Sequence, residues 1–165
     1  MNKTNIFLIF ILTITLTACG IHLRGTSGSY KLPIKTVYIQ CNNVKICPNM
    51  QNVITKQSLA TLVNNAESAE AVIKLMNEQT SRDPQSFNLA GRVTNYILTY
   101  QVTAQVWQNH EQIGNDIVVS NQLISQYNDS TILANNLEED NYWNKIHQNV
   151  TNQLIRRLIA FKYNE

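Results

Sequence analysis

The chain has 165 residues with 13 basic and 11 acidic side chains, a formal charge of +2 and 15% charged residues. Such a balance lacks the basic excess of a nucleic-acid binder. The length suits one domain with one core and does not comfortably hold two, and no internal repeat or low-complexity tract divides it.

At the start, Lys3 supplies a positive charge, Ile6 to Leu16 form a short apolar run, and Leu16-Thr17-Ala18-Cys19 has the pattern of a lipobox. The run is too short to cross a hydrocarbon core about 30 Å thick, which needs about 20 apolar residues. The expected outcome is cleavage by signal peptidase II between Ala18 and Cys19, with lipid on the Cys19 thiol. Three acyl chains would bury dozens of CH2 groups at ~0.8 kcal/mol each, so the anchor would be permanent. Gly20 stands where an Asp signals retention in the inner membrane of many enterobacterial lipoproteins, so similarity to that sorting rule favours the outer membrane. Residues 1–18 are thus expected to be removed and 19–34, with Gly25 and Gly28, to form a lipidated tether. Residues 35–165 would be the single globular domain.

In chain order, Lys35 to Gln40 alternates Val37 and Ile39 against Thr36, Tyr38 and Gln40, which predicts a strand. Pro48 suits a helix's first turn, and Met50, Val53, Ile54, Leu59, Leu62 and Val63 predict one amphipathic helix reaching the turn at Asn64-Asn65. A short strand is expected at Ala71 to Met76, then a polar loop from Asn77 to Asn88 containing Pro84. From Leu89 to Trp107 the even positions Tyr96, Leu98, Tyr100, Val102, Ala104 and Val106 are apolar, a clear strand. A turn at Asn109 to Asn115, with Gly114, would lead into a partner strand over Ile117 to Tyr127. Asp129 is the expected cap of a long helix whose stripe is Leu133, Leu137, Trp143, Ile146, Val150, Leu154 and Leu158. The order β-α-β-β-β-α predicts an α+β, two-layer sandwich, with a mixed four-stranded sheet and both helices on one face.

Chemistry-bearing residues are few. Cys41 and Cys47 are destined for an oxidising compartment, where a disulfide would tie a strand's end to a helix's start. Free thiols, or a metal site, are the alternatives, and no further Cys or His lies nearby to complete a ligand set. His22, His110 and His147 each lack a neighbouring nucleophile or ligand motif, and Glu138-Glu139-Asp140 reads as a solvated helix face. No enzyme, metal or cofactor is expected beyond the covalent lipid on Cys19.

Several strings together resemble the lipopolysaccharide-assembly lipoprotein family, LptE. Ala18-Cys19-Gly20-Ile21-His22-Leu23-Arg24-Gly25 is similar to the family's opening, and Gly91-Arg92-Val93-Thr94-Asn95-Tyr96-Ile97-Leu98 to its Gly-x-x-x-x-Tyr strand. Tyr127-Asn128-Asp129 with Leu133-Ala134 resembles the entry to its last helix, and Gln153-Leu154-Ile155-Arg156-Arg157-Leu158 its close. The resemblance implies a partner of the outer-membrane β-barrel LptD that plugs the barrel, assists its assembly and helps deliver lipopolysaccharide to the outer leaflet. Contact with lipopolysaccharide phosphates would call for cations at the sheet and hairpin ends, where Arg82 and Arg92 are the candidates. The chain departs from better-known members in Leu89, where a basic residue can stand, and in Asn135, where a Lys can occur. The rival classes are an unrelated scaffold or binding lipoprotein and a lipid-anchored hydrolase, and the latter finds no pocket motif here.

Overall fold

The structure, a computed structural model, describes residues 31–163; Ala18, Cys19 and most of the expected tether lie outside it. Strand β1 (Thr36–Cys41) follows its period of two, with Val37 and Ile39 buried and Thr36, Tyr38 and Gln40 turned away. Helix α1 (Cys47–Lys56) carries Pro48 in its first turn, where a missing N–H leaves no bond unmade, and buries Met50 and Ile54.

The helix ends earlier than its apolar spacing predicts. Ser58 adopts a left-handed conformation at φ 50°, the Leu59 N–H bonds to the Ile54 carbonyl, and Leu59 plugs the core. Thr61–Leu62 then forms a two-residue strand, β2, parallel to β1. The sheet therefore has five strands, in the order β2-β1-β3-β4-β5, where the sequence pattern yields four. Two residues are too few to leave an alternating signature.

Strand β3 runs from Ala71 to Phe87, so the segment expected as a polar loop is strand up to Phe87, with only Asn88 in the connection that follows. Its first part pairs parallel with β1 from Val37↔Ala71 to Cys41↔Leu75; its whole length pairs antiparallel with β4 (Val93–Gln108). A bulge lies between Met76 and Gln79, with Asn77 at φ 52°. Before it the inward residues are odd, Ile73 and Leu75 opposite Val106 and Ala104. After it they are even, Thr80 and Arg82 opposite Tyr100 and Leu98. This change of phase, with Pro84 and a polar composition, hides the strand from a periodicity reading.

Strand β4 follows its even-numbered alternation closely: Leu98, Tyr100, Val102, Ala104 and Val106 are all buried. It turns at Asn109 and His110, both at positive φ, into β5 (Glu111–Gln126). The connection is thus a tight two-residue turn of the kind that suits the sheet's twist, shorter than the seven-residue turn expected. Gly114 lies instead inside β5, at φ 64° beside the register shift opposite Ala104 and Val106. A Cβ built there would come within 2.6 Å of the Phe161 ring.

Helix α2 (Ile132–Ile159) lies across the same face as α1, and Ile146, Val150, Leu154 and Leu158 join Met50, Ile54 and the sheet's inward residues in one core. Mixed sheet and two helices make the α+β sandwich expected. The helix's N-cap is Thr131, without a side-chain cap bond, and Asp129 serves elsewhere. Near the other end, Arg157 Nη1 donates to the Val118 carbonyl at 2.6 Å, occupying an acceptor of the outer strand β5.

Candidate functional site

Strand β3 alone spans about 55 Å at about 3.3 Å per residue, so its two ends are far apart. The chain enters β1 at the end where β3 begins, and the β3–β4 connection lies at the opposite, distal end. Both candidate cations sit toward that distal end.

Arg82 opposes Leu98 on the helix-facing side of the sheet. Its Nε–H is shared by both Glu139 oxygens at 3.0 Å, and its guanidinium lies 3.4 Å from the centroid of the Tyr96 ring. Tyr127, edge-on to Tyr96 at 5.3 Å, completes a small aromatic wall, with the guanidinium 5.8 Å from its centroid. Partial burial works against the cation, but the hydrogen bond and charge of Glu139, together with Tyr96, outweigh it and raise the Arg82 pKa. Trp143 Nε1 also donates to Glu139 Oε1, at 3.4 Å. Arg82 is thus a tie between β3 and α2, and an anion arriving there competes with a carboxylate already in place.

Arg92 ends the five-residue connection 88–92. Asn88 organises this turn: its Oδ1 accepts the backbone N–H groups of Ala90 and Arg92, each at 3.0 Å. The Arg92 Nη1 meets Asp129 Oδ2 at 3.6 Å, with 70% of the arginine side chain exposed. Such an exposed pair contributes little, and its cation is accessible to an anion from solution.

Around the two arginines lie side chains whose role the sequence does not reveal. Leu89 stands fully exposed at the apex of the connection, and Phe87 is 59% exposed beside it. On α2, Ile132, Leu133 and Leu137 are exposed too, although Leu133 and Leu137 belong to the stripe expected to face the core. The helix faces inward through Asn135 instead. That residue is buried, donates from Nδ2 to the Asn128 carbonyl at 2.7 Å and accepts from the Asn128 N–H and the Thr131 hydroxyl. With Asn135 turned to the sheet, Leu133 and Leu137 must point outward, because neighbours two residues away on a helix face nearly opposite directions. The distal end therefore pairs one accessible cation and one tethered cation with a set of exposed apolar side chains.

Away from this end, Cys41 and Cys47 form a disulfide, with Cα atoms 5.9 Å apart, joining the last residue of β1 to the first of α1. Ala18 and Cys19 lie outside the described residues, so the proposed lipidation has no structural counterpart here.

No curated protein sequence is significantly similar to this chain. Among solved structures, it is similar to an uncharacterised lipoprotein B from Nitrosomonas europaea, at 27% identity and a TM-score of 0.69, over 86% of this chain and 92% of that one. A minor lipoprotein from Acinetobacter baumannii shares the fold at 18% identity and a TM-score of 0.64, over 78% and 93%. The rare lipoprotein B from Shewanella oneidensis does so at 15% and 0.62, over 76% and 95%. The family model for LptE, lipopolysaccharide-assembly, matches residues 34–158, from the entry to β1 through the last turn of α2, and the chain belongs to that family.

Proposed function

We propose that the chain is a lipoprotein of the outer membrane, anchored through lipid on Cys19, that complexes with the β-barrel LptD. There it plugs the barrel and assists its assembly, so that lipopolysaccharide reaches the outer leaflet. Its role is that of a non-enzymatic binding partner. The observation that carries this reading is the family match over 34–158. A lipobox at Leu16 to Cys19, and relatives in fold that are themselves named lipoproteins, support the anchor. The polar Gln and Thr side chains on the sheet's outer face suit a water-filled lumen.

Lipopolysaccharide joins phosphates to acyl chains, and the distal end offers matching chemistry: Arg92 is an accessible cation, with Phe87, Leu89, Leu133 and Leu137 exposed nearby. Arg82 is the weaker contact because Glu139 already occupies it. The test is a mild-detergent pull-down of the tagged, lipidated protein from outer membranes, with mass identification of what accompanies it. A large β-barrel in stoichiometric amount is expected. Recovery of folded protein from the outer membrane without any barrel would overturn the plug reading and leave a scaffold lipoprotein.

A further inference from the structure

Where α2 passes the β3 bulge, polar side chains from three elements meet, Tyr100 fully buried and Glu78 and His147 partly so. Glu78 stands in the bulge, Tyr100 on β4 and His147 in the middle of α2. Glu78 Oε1, the Tyr100 hydroxyl and His147 Nε2 are each shielded; the hydroxyl lies within reach of the Glu78 carboxylate and of the Ile46 backbone, and none of the three atoms makes a hydrogen bond of good geometry. The Tyr100 and His147 rings meet edge to face at 4.7 Å, and Trp143 stacks on His147 at 6.3 Å. The other oxygen of Glu78 is held: Oε2 accepts the backbone N–H of Lys45 at 3.2 Å. Lys45 lies inside the short loop that the Cys41–Cys47 disulfide closes.

We propose that Glu78, Tyr100 and His147 form an acid-sensitive joint through which the disulfide-closed loop and the middle of α2 hold each other in place. Neither the lipid anchor nor the distal end makes use of these groups. A phenol, a carboxylate and a neutral imidazole can share protons among themselves: the hydroxyl donates, the carboxylate accepts, and an imidazole nitrogen does either. An imidazolium changes that arrangement, since both its nitrogens must donate and its charge must be carried out of water.

Burial, and then the positive charge of Lys45, hold His147 below the ordinary imidazole range, and the attraction of Glu78 does not offset them. Burial, reinforced by the charge of Glu78, likewise keeps the Tyr100 phenol protonated well above its usual range. The charges that act on His147 are those of Lys45 and Glu78; on its own helix Lys145 lies against Tyr142, and Asp116 of β5 accepts from Gln105 and Gln112.

An imidazole whose folded pKa is depressed stays neutral in the folded chain, while the unfolded chain binds a proton below about 6.5. The stability contributed is therefore complete above that value and is lost as the pH falls through it toward the lower folded pKa. Acid should loosen α2 at the joint first.

The experiment is an NMR pH titration of the His147 ring in the parent chain, Lys45→Gln, Glu78→Gln and the double variant Cys41→Ser/Cys47→Ser. Amide exchange across residues 143–151 is measured alongside, at pH 7 and pH 5. Expected are a parent midpoint below about 6.5, a higher one in Lys45→Gln and a lower one in Glu78→Gln. The serine variant should move in the direction of Lys45→Gln, because the loop no longer holds Lys45 in place. Exchange at 143–151, corrected for intrinsic rates, should be several-fold faster at pH 5 than at pH 7, because the unfolded chain binds the proton that the folded His147 resists. Lys45 is exposed, so Lys45→Gln should fold even if Glu78→Gln does not. A parent midpoint at the free-imidazole value that Lys45→Gln leaves unmoved, or exchange indifferent to acid, overturns the joint. A His147 midpoint unaffected by loss of the disulfide overturns its link to the loop.

Discussion

The two ends of the long sheet are held by different forces. At the proximal end β1, β3, β4 and β5 lie under both helices, and Val37, Ile73, Ala104, Val102 and Leu154 are entirely buried in one apolar core. At the distal end β1 has stopped, and the sheet and α2 are joined by polar ties: Arg82 to Glu139, Asn135 to Asn128, Arg92 to Asp129. Apolar side chains that would ordinarily be inside are outside there. Burial fixes the proximal end; directional bonds of modest net strength shape the distal one. A region held in this way can be remodelled by a partner at lower cost than a packed core.

Breaking the proximal end should have the largest effect. Leu154→Ala, at a site with no exposure, is expected to cost roughly 2–5 kcal/mol in denaturant unfolding, enough to threaten the fold. Next comes Gly114→Ala, where a left-handed backbone and the Phe161 ring leave no room for a Cβ; a loss of about 1–3 kcal/mol is expected, and Phe161→Ala in the same chain should restore part of it. At the distal end, Asn135→Leu should cost roughly 1–3 kcal/mol by leaving the Asn128 N–H unpaired and removing the amide bond to the Asn128 carbonyl, which keeps only the Thr131 donors. Its signature should be local, with amide protection lost at residues 128–140 while the proximal strands keep theirs. A uniform loss of protection would erase the distinction between the two ends. The smallest structural effect belongs to Arg92→Glu, within about 0.5 kcal/mol by thermal melting because its ion pair is exposed. The same change should weaken lipopolysaccharide capture; unaltered capture would remove Arg92 from the site.

The sequence was most readable where a single force acts. Alternation in β4 and the spacing of Ile146, Val150, Leu154 and Leu158 reflect simple burial, and the structure follows both. The distal end was harder to read because polar ties leave no periodic trace. Even so, one signal was present in the stripe of α2. From Leu137 to Trp143 is a step of six residues, which at 3.6 residues per turn rotates through about 600° and places Leu137 about 120° off the seam. The buried Asn135 between two exposed leucines is the same fact seen from the other side. The pairing of Arg82 with Glu139, 57 residues apart, could not be read from spacing at all.

The outer edges of this sheet bear on how the protein behaves in company. Lipid-anchored molecules on one membrane surface are crowded into two dimensions, where open strands invite neighbouring copies to add on. On β5 the Val118 carbonyl is taken by Arg157. Beyond Leu75, where β1 no longer flanks it, β3 contains Pro84, which has no N–H to offer, and is bent by register shifts on both sides of Arg82. These features make both edges poorer templates, so that copies held side by side through the lipid proposed on Cys19 would be discouraged from joining edge to edge.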